Sequence, residues 1–261
     1  VAGDPYLGGE LMEHHVLPGV RPTGAGTAGA GVADGVLVAL SLRGRGPSPE
    51  RFTADGDVRA ARDMSKARAA EFHEGRALLR WLLSTTYRQP PDSFVVRTTS
   101  TGKPVLDGLP PVGVSISHTD RVRACAIAPG REIGIDIEPV AAPTASLVRR
   151  VVPDCADELE AMPAARRART FTTLWTVREA CVKATGQGLT GADDWPAAEP
   201  GAVAGSWRGY RWRTLPAFSG CAATVAVSAD RLSYPAEVTV LLPAQPGLSS
   251  RLPFDPADPG L

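Results

Sequence analysis

Twice along this chain a short apolar run leads into a long amphipathic segment and is followed by three more apolar runs, and that recurring order limits the folds open to it. The first set comprises Val36 to Leu42, a helical pattern from Asp57 to Ser84, and runs at Phe94 to Thr98, Val112 to Ser117 and Val122 to Ile127. Ile133 to Glu138 opens the second, followed by a helical pattern from Ala165 to Thr185 that Gly186 closes. Tyr210 to Thr214, Ala222 to Ser228 and Glu237 to Leu242 complete it. The two sets share no residue-level identity, only the order of their elements. Interleaved helices and short strands predict an α+β fold, a pseudo-dimer of two similar halves, each strand-helix-three strands, with the active site at their interface. The expected halves are 35–130, with its boundary near Gly130, and 131–243, which carries the candidate metal site. Gly, Ala, Pro and Thr dominate residues 1–34, which predicts a flexible lead-in, and residues 244–261 read as a peripheral tail.

Within the first helical pattern, Phe72, Leu79, Leu82 and Leu83 make one apolar face, and Arg62, Arg68, Arg76 and Arg80 make a basic flank. Overall, 28 basic and 28 acidic residues cancel, so no global field points to nucleic acid or to an anionic membrane, and an anion site has to be local. Four widely spaced cysteines with no C-x-x-C pair fit a reducing compartment better than a disulfide framework or a zinc site. No apolar run approaches the ~20 residues that span a bilayer, and the first residues lack the basic start and apolar core of a secretory signal. The expectation is a cytoplasmic protein. Only three of the basic residues are lysines, Lys66, Lys103 and Lys183, which draws attention to each of them.

In G-I-D-I-E, residues 134–138, the strand period puts Asp136 and Glu138 on one face and Ile135 and Ile137 on the other. Two adjacent carboxylates at a strand exit suit Mg²⁺, which takes one or two carboxylates and completes its shell with water and phosphate oxygens. An ordinary polar strand face would read the same way. In L-W-T-V-R-E-A-C-V-K, Glu179 and Lys183 form an i,i+4 pair beside an apolar stripe of Phe171, Leu174, Trp175 and Val182. Such a pair is commonly a surface ion pair, yet a lysine kept in an arginine-rich chain suits a phosphate held by a point charge. Glu179 could join the other acids around a metal or take a proton from a hydroxyl. Ser117 and His118 in S-I-S-H-T end a strand, where they could donate to a phosphate or simply stabilise a turn. G-K-P, residues 102–104, reads by itself as a loop with a lysine at its tip. Ser117 and His118 are adjacent, and with neither a G-x-S-x-G elbow nor an orienting acid they do not form a hydrolase dyad. A Walker loop is also missing from the sequence.

In this order, G-K-P, S-x-S-H-T, G-I-D-I-E and W-x-x-R-E-A-x-x-K followed by G-x-G-L, the segments resemble the 4′-phosphopantetheinyl transferase superfamily, most strongly from Gly102 to Leu189. The resemblance is to the monomeric two-half class that activates peptide and polyketide synthases. It implies transfer of phosphopantetheine from coenzyme A to a serine of an apo-carrier protein, with release of 3′,5′-adenosine bisphosphate. By the same resemblance, Asp136, Glu138 and Glu179 bind Mg²⁺, with Mn²⁺ as a substitute, and Glu179 is the base. Lys183, Ser117 and His118 meet phosphate groups, Lys103 and Pro104 border the adenine, and Arg68 and Arg76, with Lys66 nearby, hold the 3′-phosphate. Arg178 stands where the family more often has lysine. Two other readings use the same residues: a magnesium-dependent nucleotide or pyrophosphate hydrolase, and a non-catalytic paralogue that binds coenzyme A or a carrier domain.

Overall fold

Strand β2 (Val36–Leu42) is apolar at every position but Ser41, and the structure, a computed structural model, covers both of its faces. Val36, Val38 and Leu40 enter one core, while Leu37 and Ala39 enter another. The residues described are 13–15, 35–107, 111–188, 195–229 and 238–243. Around β2 lies a five-stranded sheet in the order β1 (Glu13–His15), β11 (Val238–Leu242), β2, β6 (Val122–Pro129) and β5 (Val112–His118). A second sheet runs β7 (Ile133–Pro139), β10 (Cys221–Ser228), β9 (Tyr210–Phe218), β8 (Ala204–Trp207). The inner faces of the two sheets share one core: Val122, Ala124, Ala126 and Ala128 of β6 meet Ile133, Ile135 and Ile137 of β7 and Val225 and Val227 of β10. The alanines on β6 leave room for the larger side chains opposite.

On the outside of each sheet lies one long helix. Leu78, Leu79, Leu82 and Leu83 of α3 (Lys66–Tyr87) pack on Val114, Cys125 and Ile127 of the first sheet. Val177, Ala180, Cys181 and Ala184 of α6 (Ala164–Thr185) pack on Trp207, Trp212 and Ala226 of the second. A two-stranded hairpin, β3 (Val95–Thr98) and β4 (Pro104–Asp107), forms a separate ladder and adds Val96 and Leu106 to the core between α3 and the first sheet. The α+β composition therefore stands, and no described helix is long and apolar enough to cross a membrane.

Several boundaries differ from the sequence expectation. The single helix expected over 57–84 is broken into α2 (Asp55–Ala60) and α3, and an unexpected short helix, α1 (Pro49–Phe52), precedes them. The cause is tertiary: Asp57 is 1% exposed and accepts Arg80 Nε at 2.7 Å and Ala54 N at 3.0 Å, which holds α2 against α3. Ser65 restarts the helix by accepting the Arg68 amide on its hydroxyl. Short helices α4 (Ala145–Val151) and α5 (Ala156–Ala161), and strands β4 and β8, were not expected. The last expected strand does not complete the second sheet. As β11 it lies parallel to β2, Val238 opposite Val36 and Leu241 opposite Ala39, so it buries Val238 and Val240 in the core between the sheets. Within the stretch read as a flexible lead-in, Glu13–His15 pairs antiparallel with β11. Leu189, Glu237 and the tail from 244 lie outside the described residues.

Candidate active site

The site is built where β5 of one sheet runs beside β7 of the other without a shared backbone ladder. Alternate serines on β5 supply the missing acceptors: Ser115 Oγ takes the Ile135 amide at 3.0 Å and Ser117 Oγ takes the Ile137 amide at 3.4 Å. A strand's two-residue period puts both hydroxyls on one face of β5, where they meet β7. Glycines let the backbones close in. A Cβ on Gly113 would lie 2.0 Å from Arg131 O, and one on Gly134 would lie 2.1 Å from Ala180 O and 2.4 Å from Ala184 N. Gly134 thus seats β7 directly on the α6 backbone, and Asp136, two residues on, points to the same helix.

What results is an open pocket of about 290 Å³, lined by Ser117 and His118 from β5, Asp136 and Glu138 from β7, and Trp175, Glu179 and Lys183 from α6. Asp136 is 2% exposed, with Oδ1 accepting from Lys183 Nζ at 2.5 Å and from Ser117 Oγ at 3.0 Å. Lys183 Nζ also reaches Ser117 Oγ at 3.0 Å. Asp136 Oδ2 and Glu179 Oε1 are buried and accept no hydrogen bond from the described residues. Leaving two carboxylate oxygens buried and unpaired is costly unless something cationic or hydrogen-donating meets them.

Charge crowding is visible in the titration of these groups. The Glu179 carboxyl is pushed up to about 6, first by burial, then by the negative charges of Asp136 and Glu138, against the pull of Lys183 and Arg178. Glu138 is also raised, by burial and by Asp136, while Lys183 and a hydrogen bond from Trp175 oppose the shift. His118 is lowered, by partial desolvation and then by Arg123, Lys183 and Arg68, with Glu71 opposing. It is therefore a neutral imidazole among cations, the setting in which a bound anion would be welcomed. The three acids do not close into a metal cage by themselves; among the described residues no His, Cys, Asp and Glu side chains form such a group. The two orphaned oxygens nevertheless fit a hard cation that takes a few protein ligands and fills its remaining positions from water and phosphate.

Other expected site residues fall elsewhere. Arg76, expected on an exposed basic flank, is 3% exposed: it donates to Thr98 Oγ1 at 2.6 Å, lies 3.6 Å from Asp57 and stacks on Phe72. Arg76 faces inward because Asp57, turned in by the break between α2 and α3, draws it. Arg68 is exposed one turn into α3, and its charge is felt at His118. Lys103 and Pro104 do not line the pocket; the Lys103 ammonium donates to Ala184 O at 2.5 Å, at the end of α6. Arg178 donates to Val151 O at 2.9 Å and lies over the Trp195 ring, so this arginine ties α4 and the segment after α6 to the helix. Trp175 was read only as part of the apolar stripe. It lines the pocket and meets Glu138, a role that its position on the helix wheel, between the stripe and Glu179, is consistent with. A second cavity, about 220 Å³, lies between the 44–49 loop, Glu74 and Arg123, and there the Arg123 and Glu74 charges pair with each other at 2.8 Å.

Comparison with known proteins bears on the same segment. Residues 132–209, from the start of β7 through α6 to the turn after β8, match the sequence profile described as the 4′-phosphopantetheinyl transferase superfamily. The chain is 32% identical over 145 residues to the 4′-phosphopantetheinyl transferase HetI of Nostoc sp. (strain PCC 7120), covering 53% of this chain and 61% of that protein. It is 31% identical over 119 residues to the 4′-phosphopantetheinyl transferase psf-1 of Bacillus pumilus, covering 44% and 50%. A 4′-phosphopantetheinyl transferase of Bacillus subtilis is 30% identical over 117 residues, covering 44% and 52%. The chain thus spans between half and about three-fifths of the length of the curated relatives it matches.

Proposed function

We propose that this chain, a member of the 4′-phosphopantetheinyl transferase superfamily through its residues 132–209, moves the phosphopantetheine arm of coenzyme A onto a serine of an apo-carrier protein. The observation that carries the reading is the pair of buried, unpartnered oxygens, Asp136 Oδ2 and Glu179 Oε1, beside Lys183, Ser117 and His118 in one open pocket. That set suits a dianionic pyrophosphate presented with a divalent cation. Asp136, Glu138 and Glu179 would hold Mg²⁺, which when bound offsets charge on the pyrophosphate oxygens.

The chain's own residues then have distinct tasks. Lys183 moves from Asp136 onto a pyrophosphate oxygen, a short swing for an ammonium already within the pocket. Neutral His118 donates to a phosphate oxygen, with the charges of Arg68 and Arg123 behind it. Glu179, whose pKa of about 6 leaves it ionised yet basic at neutral pH, takes the proton of the carrier serine. The serine oxygen bonds to the β-phosphorus, the bond from that phosphorus to the bridging oxygen breaks, and 3′,5′-adenosine bisphosphate leaves with the electron pair. In this reading the protein is a monomer whose two halves, each a helix on a sheet, form a pseudo-dimer about the β5–β7 seam, and its carriers are drawn from peptide and polyketide synthases.

Incubating the chain with coenzyme A, Mg²⁺ and an apo-carrier protein and reading the carrier's intact mass tests the reading. A gain equal to phosphopantetheine is expected, abolished by excess chelator and by Asp136→Ala. Glu179→Gln should lower kcat about 10²-fold or more. Cleavage of coenzyme A with the carrier unmodified would instead identify a hydrolase.

A further inference from the structure

We propose that Lys103 is a positioning residue: from the β3–β4 hairpin it locks the last turn of α6, and so sets where Lys183 and Glu179 stand. The inference rests on the transfer reading above for its catalytic consequence, though not for the lock itself.

The end of a helix leaves its final carbonyls without intrahelical partners. In α6 these groups are met by separate devices. Val182 O takes the Gly186 amide and the Thr185 hydroxyl. Ala184 O, the carbonyl next to Lys183 in sequence, takes the Lys103 ammonium at 2.5 Å, and Gly186 O takes the Thr101 hydroxyl at 3.0 Å. Both donors come from a turn more than eighty residues earlier in the chain. The turn is itself braced: the Thr99 amide donates to Lys103 O at 2.9 Å, and the Lys103 amide donates to Thr99 Oγ1 at 3.0 Å. Positive charge at a helix C-terminus is favourable in its own right.

The fit leaves little slack. Gly186 adopts φ 71°, and a Cβ there would come 3.1 Å from Lys103 Cδ, so the lysine stem crosses directly over the helix end. Burial lowers the Lys103 pKa while nearby Glu132 opposes the shift, as for an ammonium that has given up water for a carbonyl. Gly134 of β7 also lies against this turn, at Ala180 O and Ala184 N. The last turn of α6 is therefore held by both β7 and the hairpin, and the side chain issuing from the held turn is Lys183, whose ammonium reaches both Asp136 and Ser117. A shift of about 1 Å in a group that positions reacting atoms can cost on the order of 10²-fold in rate.

Lys103→Met keeps the stem and removes the ammonium; Lys103→Arg keeps a donor for Ala184 O. In the ligand-free protein, amide hydrogen exchange over 182–186 should accelerate in Lys103→Met and return towards wild type in Lys103→Arg. In carrier-modification assays Lys103→Met should lower kcat about tenfold or more, with KM for coenzyme A changing far less. If Lys103→Met fails to fold, Thr101→Val, which removes the Gly186 contact and a 2.9 Å pairing with the Thr99 hydroxyl while leaving the Lys103 ammonium on Ala184 O, should show the same pattern more weakly. Unchanged exchange in the variants overturns the lock. Faster exchange with normal kcat reduces Lys103 to a structural cap, and a raised KM for coenzyme A with normal kcat and exchange makes it a direct ligand contact instead; either result overturns the proposal. If the wild type transfers nothing to any carrier while exchange responds as expected, the transfer reading fails and the lock stands.

Discussion

Glu179 shows how a single residue can be destabilised by its neighbours and still be well placed. Buried beside Asp136 and Glu138, its carboxyl binds a proton more tightly in the folded protein, near pH 6, than at its ordinary value of 4.5. A folded state that binds the extra proton more readily is favoured at low pH. This group's contribution is therefore fully present below about pH 4.5 and is lost as pH rises through about 6. Thermal unfolding of the chelator-treated protein between pH 4.5 and 7 should show that decline, and Glu179→Gln, with nothing to titrate, should flatten it. Glu138 is shifted in the same direction, so part of the slope should survive. Equal slopes in the two proteins would mean that Glu179 titrates normally. Asp136 with Glu138, and Glu179 with Lys183, were legible in the sequence as two separate pairs because strand and helix periods fix which side chains share a face, whatever lies opposite; only the family resemblance put the two pairs together. Arg76 and Lys103 were not. Being basic said nothing about direction, and each is turned by a partner far along the chain, Asp57 for one and Ala184 O for the other.

At the scale of elements, close approach explains more than side-chain chemistry does. Gly134→Ala has to force backbone apart from backbone, since its Cβ would meet Ala180 O at 2.1 Å. A loss of about 2–3 kcal/mol or more in urea unfolding is expected, the upper end of the cost of overpacking. Gly75→Ala, in the middle of α3, meets only the Ile116 Cγ2 methyl at 3.1 Å and gains helix propensity, so its net effect should stay within about 1 kcal/mol of zero. Comparable losses in both variants would show that glycine flexibility matters here and not contact. The strands β2, β5, β6, β7 and β10 and the helix α6 could be read from apolar period and punctuation, with Gly186 marking the end of α6 through its left-handed φ. The break between α2 and α3 could not, because V-R-A-A-R-D-M-S, residues 58–65, is made mostly of helix formers, and what holds α2 against α3 is an ion pair between Asp57 and Arg80, 23 residues on.

For the molecule as a whole, the path of the chain matters more than the count of its elements. Apolar period reveals which face of a strand is buried and not which strand lies beside it, so β11 was read into the second sheet although it pairs with β2 in the first. Cutting at residue 130 therefore leaves the first sheet without β11 and without the core residues of β7 and β10. Expressed separately, 1–130 and 131–261 should aggregate or lack a cooperative transition, as judged by size-exclusion chromatography and circular dichroism, with recovery on co-expression. A monomeric 1–130 that melts cooperatively would show that the first sheet tolerates the missing strand. The same pairing sets a schedule for biosynthesis. Roughly 200 residues separate Val36 from Val238, and at about 5–20 residues per second their emergence from the ribosome is separated by on the order of 10 to 40 seconds. Throughout that interval the nascent chain carries an apolar strand with an open edge, so folding yield should depend on translation speed and chaperone supply even though the finished protein leaves that edge covered.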